Sequence, residues 1–277
     1  MPYSAEISRG NPTCFIFLLD QSRSMSERFG EHAQSKAQFV ADVVNRTLHD
    51  LVIRSTRTEE IRNYYYVSVI GYGKNVAPAL GGELAGKAQV PISELAAKPT
   101  RLENRTKKVP SADGDLVEQH VRFPIWVDPV FGGWTQMCAG LKLVRNIVDE
   151  WLNERREGFP PTVLHLTDGA STDGDPTSVA TDILSRSSSD GHVLLFNCHV
   201  SARHSVKIEY PETEALLPDS RARTLFNISS LLPDVFIRAA AQTGLKINPG
   251  ARGFVFNGDP VSVAQFFEMG TRPANLR

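Results

Sequence analysis

Disulfide chemistry has little to work with in this sequence. Its 277 residues include three cysteines, Cys14, Cys138 and Cys198, an odd count with no close pair. Cys14 and Cys198 lie inside apolar runs, so buried free thiols in a reducing compartment fit better than bridges. No apolar run approaches the ~20 residues that a membrane helix requires. The first residues, Met1-Pro2-Tyr3-Ser4-Ala5-Glu6, lack the charged segment and apolar stretch of a secretory leader. An excess of charge is missing too. The net charge is −1, which gives no electrostatic reason to expect nucleic acid or an anionic membrane as main partner. No Gly-x-x-x-x-Gly-Lys loop is present, which disfavours an NTPase, and there is no internal repeat or low-complexity segment. The expected location is the cytoplasm.

What is present is an ordinary globular composition, 41% apolar, in a chain long enough for one large α/β domain or two small ones. Thr13 to Leu19 is an unbroken apolar run ending at Asp20, and reads as a strand buried on both faces. Ala37, Val40, Val44, Leu48, Leu51 and Val52 recur at helical spacing and predict a helix over 34–54. Tyr64 to Tyr72 reads as a second strand. Residues 73–118, rich in Gly, Pro, Lys and Glu, are expected to form a long loop or a small hairpin around Val90 to Ile92. A further strand is predicted over Val121 to Val127, at an edge because Pro124 interrupts it.

After Gly132-Gly133-Trp134-Thr135, the residues Met137, Leu141, Val144, Val148, Trp151 and Leu152 mark a second helix, ended by Gly158-Phe159-Pro160-Pro161. Strands follow at Thr162 to Thr167 and Val193 to Val200, with a helix at Val179 to Leu184 between them. The remainder offers a helix over 233–243, a strand at Gly253 to Phe256 and a helix from Pro260 to Met269. Alternation of strand and helix predicts a doubly wound, mostly parallel sheet with helices on both faces.

Sheets of that kind bind ligands at the carboxyl ends of their strands. Two predicted strand ends carry oxygen donors: Asp20-Gln21-Ser22-Arg23-Ser24, and Thr167-Asp168-Gly169. Between them in sequence, Gly132-Gly133 permits a tight turn before Thr135. Asp20, Ser22, Ser24, Thr135 and Asp168 supply two carboxylates and three hydroxyls, with no thiol or imidazole. Hard donors of this type select Mg²⁺ or Mn²⁺, with Ca²⁺ possible, over zinc or copper. Alternate residues 20, 22 and 24 in a tight turn can aim at one point while Gln21 and Arg23 point away.

At these residues the sequence resembles von Willebrand factor A domains, including the integrin-type inserted domains. Asp20-Gln21-Ser22-Arg23-Ser24 is similar to their Asp-x-Ser-x-Ser signature, Thr135 to the second metal loop and Asp168 to the third, in the same order. The resemblance covers roughly residues 12–200 plus the last strand and helix. It implies a single domain over 1–277 with an insertion or long loop at 73–118. It also implies a metal-ion-dependent adhesion site in which a Glu or Asp of a partner protein completes the coordination of Mg²⁺ or Mn²⁺. Within that family the chain looks most like bacterial intracellular members of the tellurite-resistance TerY type, on Phe196-Asn197-Cys198-His199-Val200 and Ala251-Arg252-Gly253-Phe254-Val255-Phe256-Asn257. That likeness implies a regulatory role in a stress or signalling system, with a kinase or phosphatase as candidate partner.

Other readings stand beside this one. Asp20 and Asp168 after strands would also suit a metal-dependent phosphohydrolase with an aspartyl nucleophile. Against it, position 22 is Ser where a second carboxylate would serve as acid/base, and no lysine is obviously placed to hold a phosphate. On balance the chain is expected not to be an enzyme. A scaffold with a vestigial site is a third reading, although all five positions keep competent donors. Asp-x-Ser-x-Ser taken alone is a helix cap and turn. Asp173-Gly174-Asp175 reads as a solvated turn before Pro176, and His165 and His199 as buried, hydrogen-bonded histidines. Arg101, Arg105, Lys107 and Lys108 read as a solvated face. Trp134 is either a partner contact or a packing residue.

Overall fold

The computed structural model describes residues 2–29, 33–110, 116–201 and 206–271, the side chains of 107–110, 116 and 117 excepted. The first apolar run is strand β1, Thr13–Asp20, buried along its whole length. Helix α1, Lys36–Ser55, starts at Ser35, whose hydroxyl accepts the Gln38 N–H at 3.2 Å. Strand β2, Tyr65–Tyr72, lies parallel to β1, from Thr13 beside Tyr65 to Asp20 beside Tyr72. Short strands β3, Val76–Pro78, and β4, Val90–Pro91, both pair antiparallel with β2, and helix α2, Ile92–Ala97, follows. Among the described residues, strands β5, Arg101–Pro110, and β6, Leu116–Ile125, pair only with each other, as an antiparallel ribbon.

The second half alternates regularly. Helix α3 is Met137–Glu154, strand β7 Thr162–Thr167, helix α4 Thr177–Ser185 and strand β8 Leu194–Val200. Then come β9, Ile208–Glu209, α5, Ser220–Asn227, α6, Asp234–Gln242, β10, Phe254–Gly258, and α7, Pro260–Gly270. The main sheet has eight strands in the order β9-β10-β8-β7-β1-β2-β3, with β4 also on β2. The five central strands, β10, β8, β7, β1 and β2, are parallel. The fold is therefore a doubly wound α/β sheet, as the alternation predicts.

The pleat sorts the core into two layers. Phe15, Phe17 and Leu19 of β1 meet Val40, Val44 and Leu48 of α1 and Phe266 and Phe267 of α7. Cys14, Ile16 and Leu18 point to the other face, against Leu141, Val144 and Val148 of α3 and Ile183 of α4. Each such side chain contributes roughly 1.5–3 kcal/mol on burial. From β1 the chain passes to β2 on one side, and β7 pairs on the other side. The strand order thus reverses between β1 and β7, and that crevice is where open α/β sheets present their ligand sites. Among the described residues, no helix is long and apolar enough to cross a membrane.

The segment 73–118 differs from its expected form. Val90–Pro91 is a single short strand on β2, not half of a hairpin. The hairpin is the β5–β6 ribbon, and the strand expected over Val121 to Val127 is its second arm, starting at Leu116. Past the ribbon, Asn45 of α1 holds the chain: its Oδ1 accepts the N–H groups of Trp126 and Val127 at 2.8 and 3.0 Å, and its Nδ2 donates to Val127 O at 2.9 Å.

Candidate metal centre

Asp20 closes β1 at the switch point. Its Oδ1 accepts the N–H of Ser22 at 2.8 Å, which turns the chain back at once. A single 3₁₀ turn follows, Arg23–Ser26, anchored by the fully buried Met25. This turn brings the hydroxyls of Ser22 and Ser24 to 3.1 Å from each other. Ser24 Oγ then donates to Asp168 Oδ1 at 2.7 Å, so the first and third loops meet through their side chains.

The second loop is joined to the first through the backbone. Gly132 N–H donates to Gln21 O at 2.8 Å and Arg23 N–H to Gly133 O at 3.2 Å. Gly133 has φ +76°, and a Cβ there would stand 2.6 Å from Lys74 Cα, so this close approach requires glycine. Thr135 follows, buried beside Gly169, and its carbonyl accepts the N–H and hydroxyl of Thr172 at 2.9 and 3.1 Å. Asp173 completes the tie between second and third loops by accepting the N–H groups of Cys138 and Ala139 at 3.0 and 2.9 Å. Asp173 is thus a cap on the first turn of α3 and not a merely solvated turn residue, while Asp175 accepts the Thr177 N–H at 2.9 Å, ahead of α4.

Asp20, Ser22, Ser24 and Asp168 accordingly form one connected cluster, and Thr135 shares with Ser22 and Ser24 a groove of about 850 Å³ that Glu27, Trp134 and Thr172 also line. Trp134 is 75% exposed, which excludes a core-packing role, and Val130 and Phe131 on the same loop are 50% and 54% exposed. Burial, and secondarily the neighbouring Asp168, pushes the Asp20 carboxyl up to about 6, against hydrogen bonds from Ser22 and from Thr167 Oγ1 at 2.7 Å. Two negative groups held out of water at one point favour a cation there.

An octahedral ion with oxygen bonds of about 2.1 Å has neighbouring ligands about 3 Å apart. The 3.1 Å between Ser22 Oγ and Ser24 Oγ and the 2.7 Å from Ser24 Oγ to Asp168 Oδ1 lie close to that edge length. The donor set fits a hard dication. Among the described residues, no group of three His, Cys, Asp or Glu side chains is arranged to hold a metal.

His165 is fully buried and His199 half-buried. His165 Nε2 is 2.7 Å from the Tyr72 hydroxyl and its Nδ1 2.7 Å from Asn197 Oδ1, and burial pushes the ring down to about 4. Burial also takes His199 down to about 4, where it stacks on Phe256 at 4.8 Å and accepts the Asn257 N–H. Arg101 and Arg105 form ion pairs with Asp128 and Asp42, each also with Glu103, and so are not a free basic face. The side chains of Lys107 and Lys108 lie outside the described residues.

Sequence reasoning missed Lys36. Its ammonium reaches Asp168 Oδ2 at 2.7 Å and Glu27 Oε2 at 2.9 Å. A signal was there: a lysine at the first position of a helix opposes the helix dipole unless a partner compensates. Thr167 was noted in the third loop, but its bond to Asp20 was not foreseen, since a threonine ending a strand is commonplace.

Fold and site together define a class, a doubly wound α/β domain with an oxygen-donor cluster at its switch point. No family model matches the chain, and no curated protein matches it. Among solved structures it is similar to the ArnB paralog VWA2 from Sulfolobus acidocaldarius, with 12% identity and a TM-score of 0.34 over 69% of this chain and 35% of that one. It is also similar to the pilus adhesin SpaC from Lactobacillus rhamnosus GG, with 11% identity and a TM-score of 0.47 over 95% of this chain and 30% of that one. The chain spans about a third of the length of each. The fold assignment rests on strand order and register.

Proposed function

We propose that the protein is a non-enzymatic protein-interaction module of the von Willebrand factor A type. On this reading Asp20, Ser22, Ser24, Thr135 and Asp168 hold one Mg²⁺ or Mn²⁺, directly or through water, and a Glu or Asp of a partner protein completes its coordination. The supporting observation is the cluster itself: hydroxyl and carboxylate oxygens 2.7–3.1 Å apart at the switch point, beside a groove edged by the exposed Trp134. The TerY-type resemblance extends this to a cytoplasmic bacterial stress or signalling system in which a kinase or phosphatase supplies the acidic residue. Three free, buried cysteines agree with a reducing compartment.

Lys36 favours the phosphohydrolase reading at first sight, since it places a lysine beside Asp168. Its side chain is 4% exposed, however, and its donors are already engaged, so it offers a phosphate no free N–H. Nor does position 22 carry an acid/base.

The test is affinity capture from the bacterial lysate with and without chelator, beside a phosphoester assay. Losing one member of a shielded charge pair costs roughly 2–5 kcal/mol, or about 30- to several-thousand-fold in affinity. Capture of a specific partner should therefore vanish in EDTA and in Thr135→Ala. Mg²⁺-dependent hydrolysis abolished by Asp20→Asn would replace this reading with an enzyme, and capture that persists in excess EDTA would remove the ion from the interface.

A further inference from the structure

The candidate centre already contains a cation. Lys36, the first residue of α1, has a side chain 4% exposed, and its ammonium donates to Asp168 Oδ2 at 2.7 Å, Glu27 Oε2 at 2.9 Å and Ser24 O at 3.4 Å. An ammonium has three donors and no acceptor, so its capacity is filled within the protein. Its position runs against local electrostatics. The first turn of a 20-residue helix disfavours a cation, and no acidic residue in that turn offsets it. Removing an ammonium from water is a further cost. The compensating group is Asp168, whose side chain is wholly buried and which would otherwise be a buried, unpaired carboxylate in the metal-free protein.

We propose that Lys36 is the resident counter-ion of the centre, holding Asp168 and the Ser24 loop in place when no dication is bound and weakening dication binding when one arrives. The proposal rests on the reading of the cluster as a metal site and adds how that site is tuned. The Ser24 main chain and side chain are gripped from two directions, its carbonyl by Lys36 and its hydroxyl by Asp168. The loop is therefore assembled before a metal arrives, which lowers the ordering cost of binding. Asp20, Asp168, Glu27 and Lys36 together carry two negative charges when the three carboxyls are ionised, which one dication balances. Without Lys36 the loaded centre would keep one negative charge and repel an acidic side chain. The ammonium thus lowers affinity for the metal alone and spares an incoming carboxylate that repulsion.

The experiment uses the full chain with Mg²⁺ as probe and no partner. Mg²⁺ binding is measured by calorimetry at neutral pH, and melting temperature in EDTA and in saturating Mg²⁺, for the parent, Lys36→Met and Lys36→Arg. Lys36→Met is expected to bind Mg²⁺ about tenfold more tightly, because a like charge a few ångströms from the ion has gone. It should melt below the parent in EDTA and recover most of the difference in Mg²⁺, while Lys36→Arg keeps the parent's affinity. If Lys36→Met does not fold in EDTA, the double variant Lys36→Met/Asp168→Asn, with both charges removed, should fold there. Mg²⁺ binding by Lys36→Met no tighter than the parent's overturns the proposal and leaves the metal site standing. So does an equal loss of melting temperature with and without Mg²⁺, or failure of the double variant to fold. Absence of Mg²⁺ binding in parent and variants alike overturns both readings.

Discussion

The switch-point loops and the β5–β6 ribbon are built on different terms. The second loop is joined to the first and third through main chain: Gly132 to Gln21, Arg23 to Gly133, Thr172 to Thr135, with Gly133 pressed against Lys74 at a distance that admits no side chain. Among the described residues, the ribbon pairs only with itself, from Arg101 opposite Ile125 to Pro110 opposite Leu116. It meets α1 through side chains, Arg105 on Asp42 and His49 edge-on to Phe123 at 5.4 Å. Main-chain ties leave donors in place within tenths of an ångström, as an ion site demands. Side-chain ties anchor an element and leave its residues exchangeable. Substitutions at the centre should therefore act through geometry, and those on the ribbon through the sum of small contacts.

The sharpest way to break that contrast is Gly133→Ala. The change forces alanine into φ +76° and sets its Cβ 2.6 Å from the Lys74 backbone. Strain of this kind and overpacking against main chain together cost roughly 3–5 kcal/mol. Urea denaturation should show that loss, and Mg²⁺ binding should fall with it because Gly133 O accepts the N–H of Arg23 in the first loop. A loss below 1 kcal/mol would mean that the loops yield as readily as the ribbon.

Next in size is the pH response in chelator. A histidine with a usual value of about 6.5 that sits near 4 in the folded protein leaves the folded state with fewer bound protons than the unfolded state. Stability from His165 is therefore full above about 6.5 and is lost as pH falls toward 4, by about 2 kcal/mol at pH 5. His199 acts in the same direction. Asp20 acts oppositely. Raised to about 6 from an ordinary value of about 3.9, it favours the folded state at low pH, and that stability is lost as pH rises through 6. The parent should consequently lose only about 2–3 kcal/mol between pH 7 and 5, whereas Asp20→Asn, which removes the opposing group, should lose about 4 kcal/mol. Parallel stability curves for the two proteins would show that the switch point does not hold Asp20 out of water.

The two regions also differed in how far the sequence disclosed them. β1 and its terminal Asp20, α1, α3 and β7 were legible because their apolar periodicity is the packing that the sheet and helices require. The ribbon was legible only in its second arm, expected over Val121 to Val127; the first arm, Arg-Leu-Glu-Asn-Arg-Thr, presents no apolar face, and its support comes from Asp42 of α1 and from Phe123 across the ribbon, which no local pattern announces. Helix α5 escaped for a related reason. It buries only Ala222, Leu225 and Phe226, too few for a period to show through Arg221 and Arg223. At the centre, the five oxygen donors stood out as residue types at strand ends. Lys36, the Thr167 bond to Asp20 and the Asp173 cap did not, because each depends on a contact made far away in sequence.

Arg105→Ala tests the ribbon's side of the comparison. It removes a half-buried ion pair with Asp42 and a guanidinium 4.1 Å over the Phe123 ring. Such contacts are worth about 1 kcal/mol together. A fall of that size in thermal or urea stability is expected, with Mg²⁺ affinity unchanged. A change in Mg²⁺ affinity would join ribbon and centre into one unit.

The smallest effect on stability, and the most informative about the groove, belongs to Trp134→Ala. The side chain is 75% exposed, so its removal takes little apolar surface out of the folded core, and surface changes of this kind usually fall within about 0.5 kcal/mol. The main-chain ties of its loop run through Gly132, Gly133 and Thr135 and survive the substitution. Metal affinity should likewise hold, since no ligand is altered. What should fall is capture of an acidic partner, because an exposed tryptophan beside a coordination site has the size and rigidity of an interface anchor, and truncating one costs about 2 kcal/mol or more. Three measurements on one variant therefore separate the roles: melting temperature unchanged, Mg²⁺ titration unchanged, partner binding weakened at least tenfold at that cost. A variant that loses several degrees of melting temperature would make Trp134 part of the loop's architecture. One that keeps full partner binding would place the contact surface elsewhere on the rim.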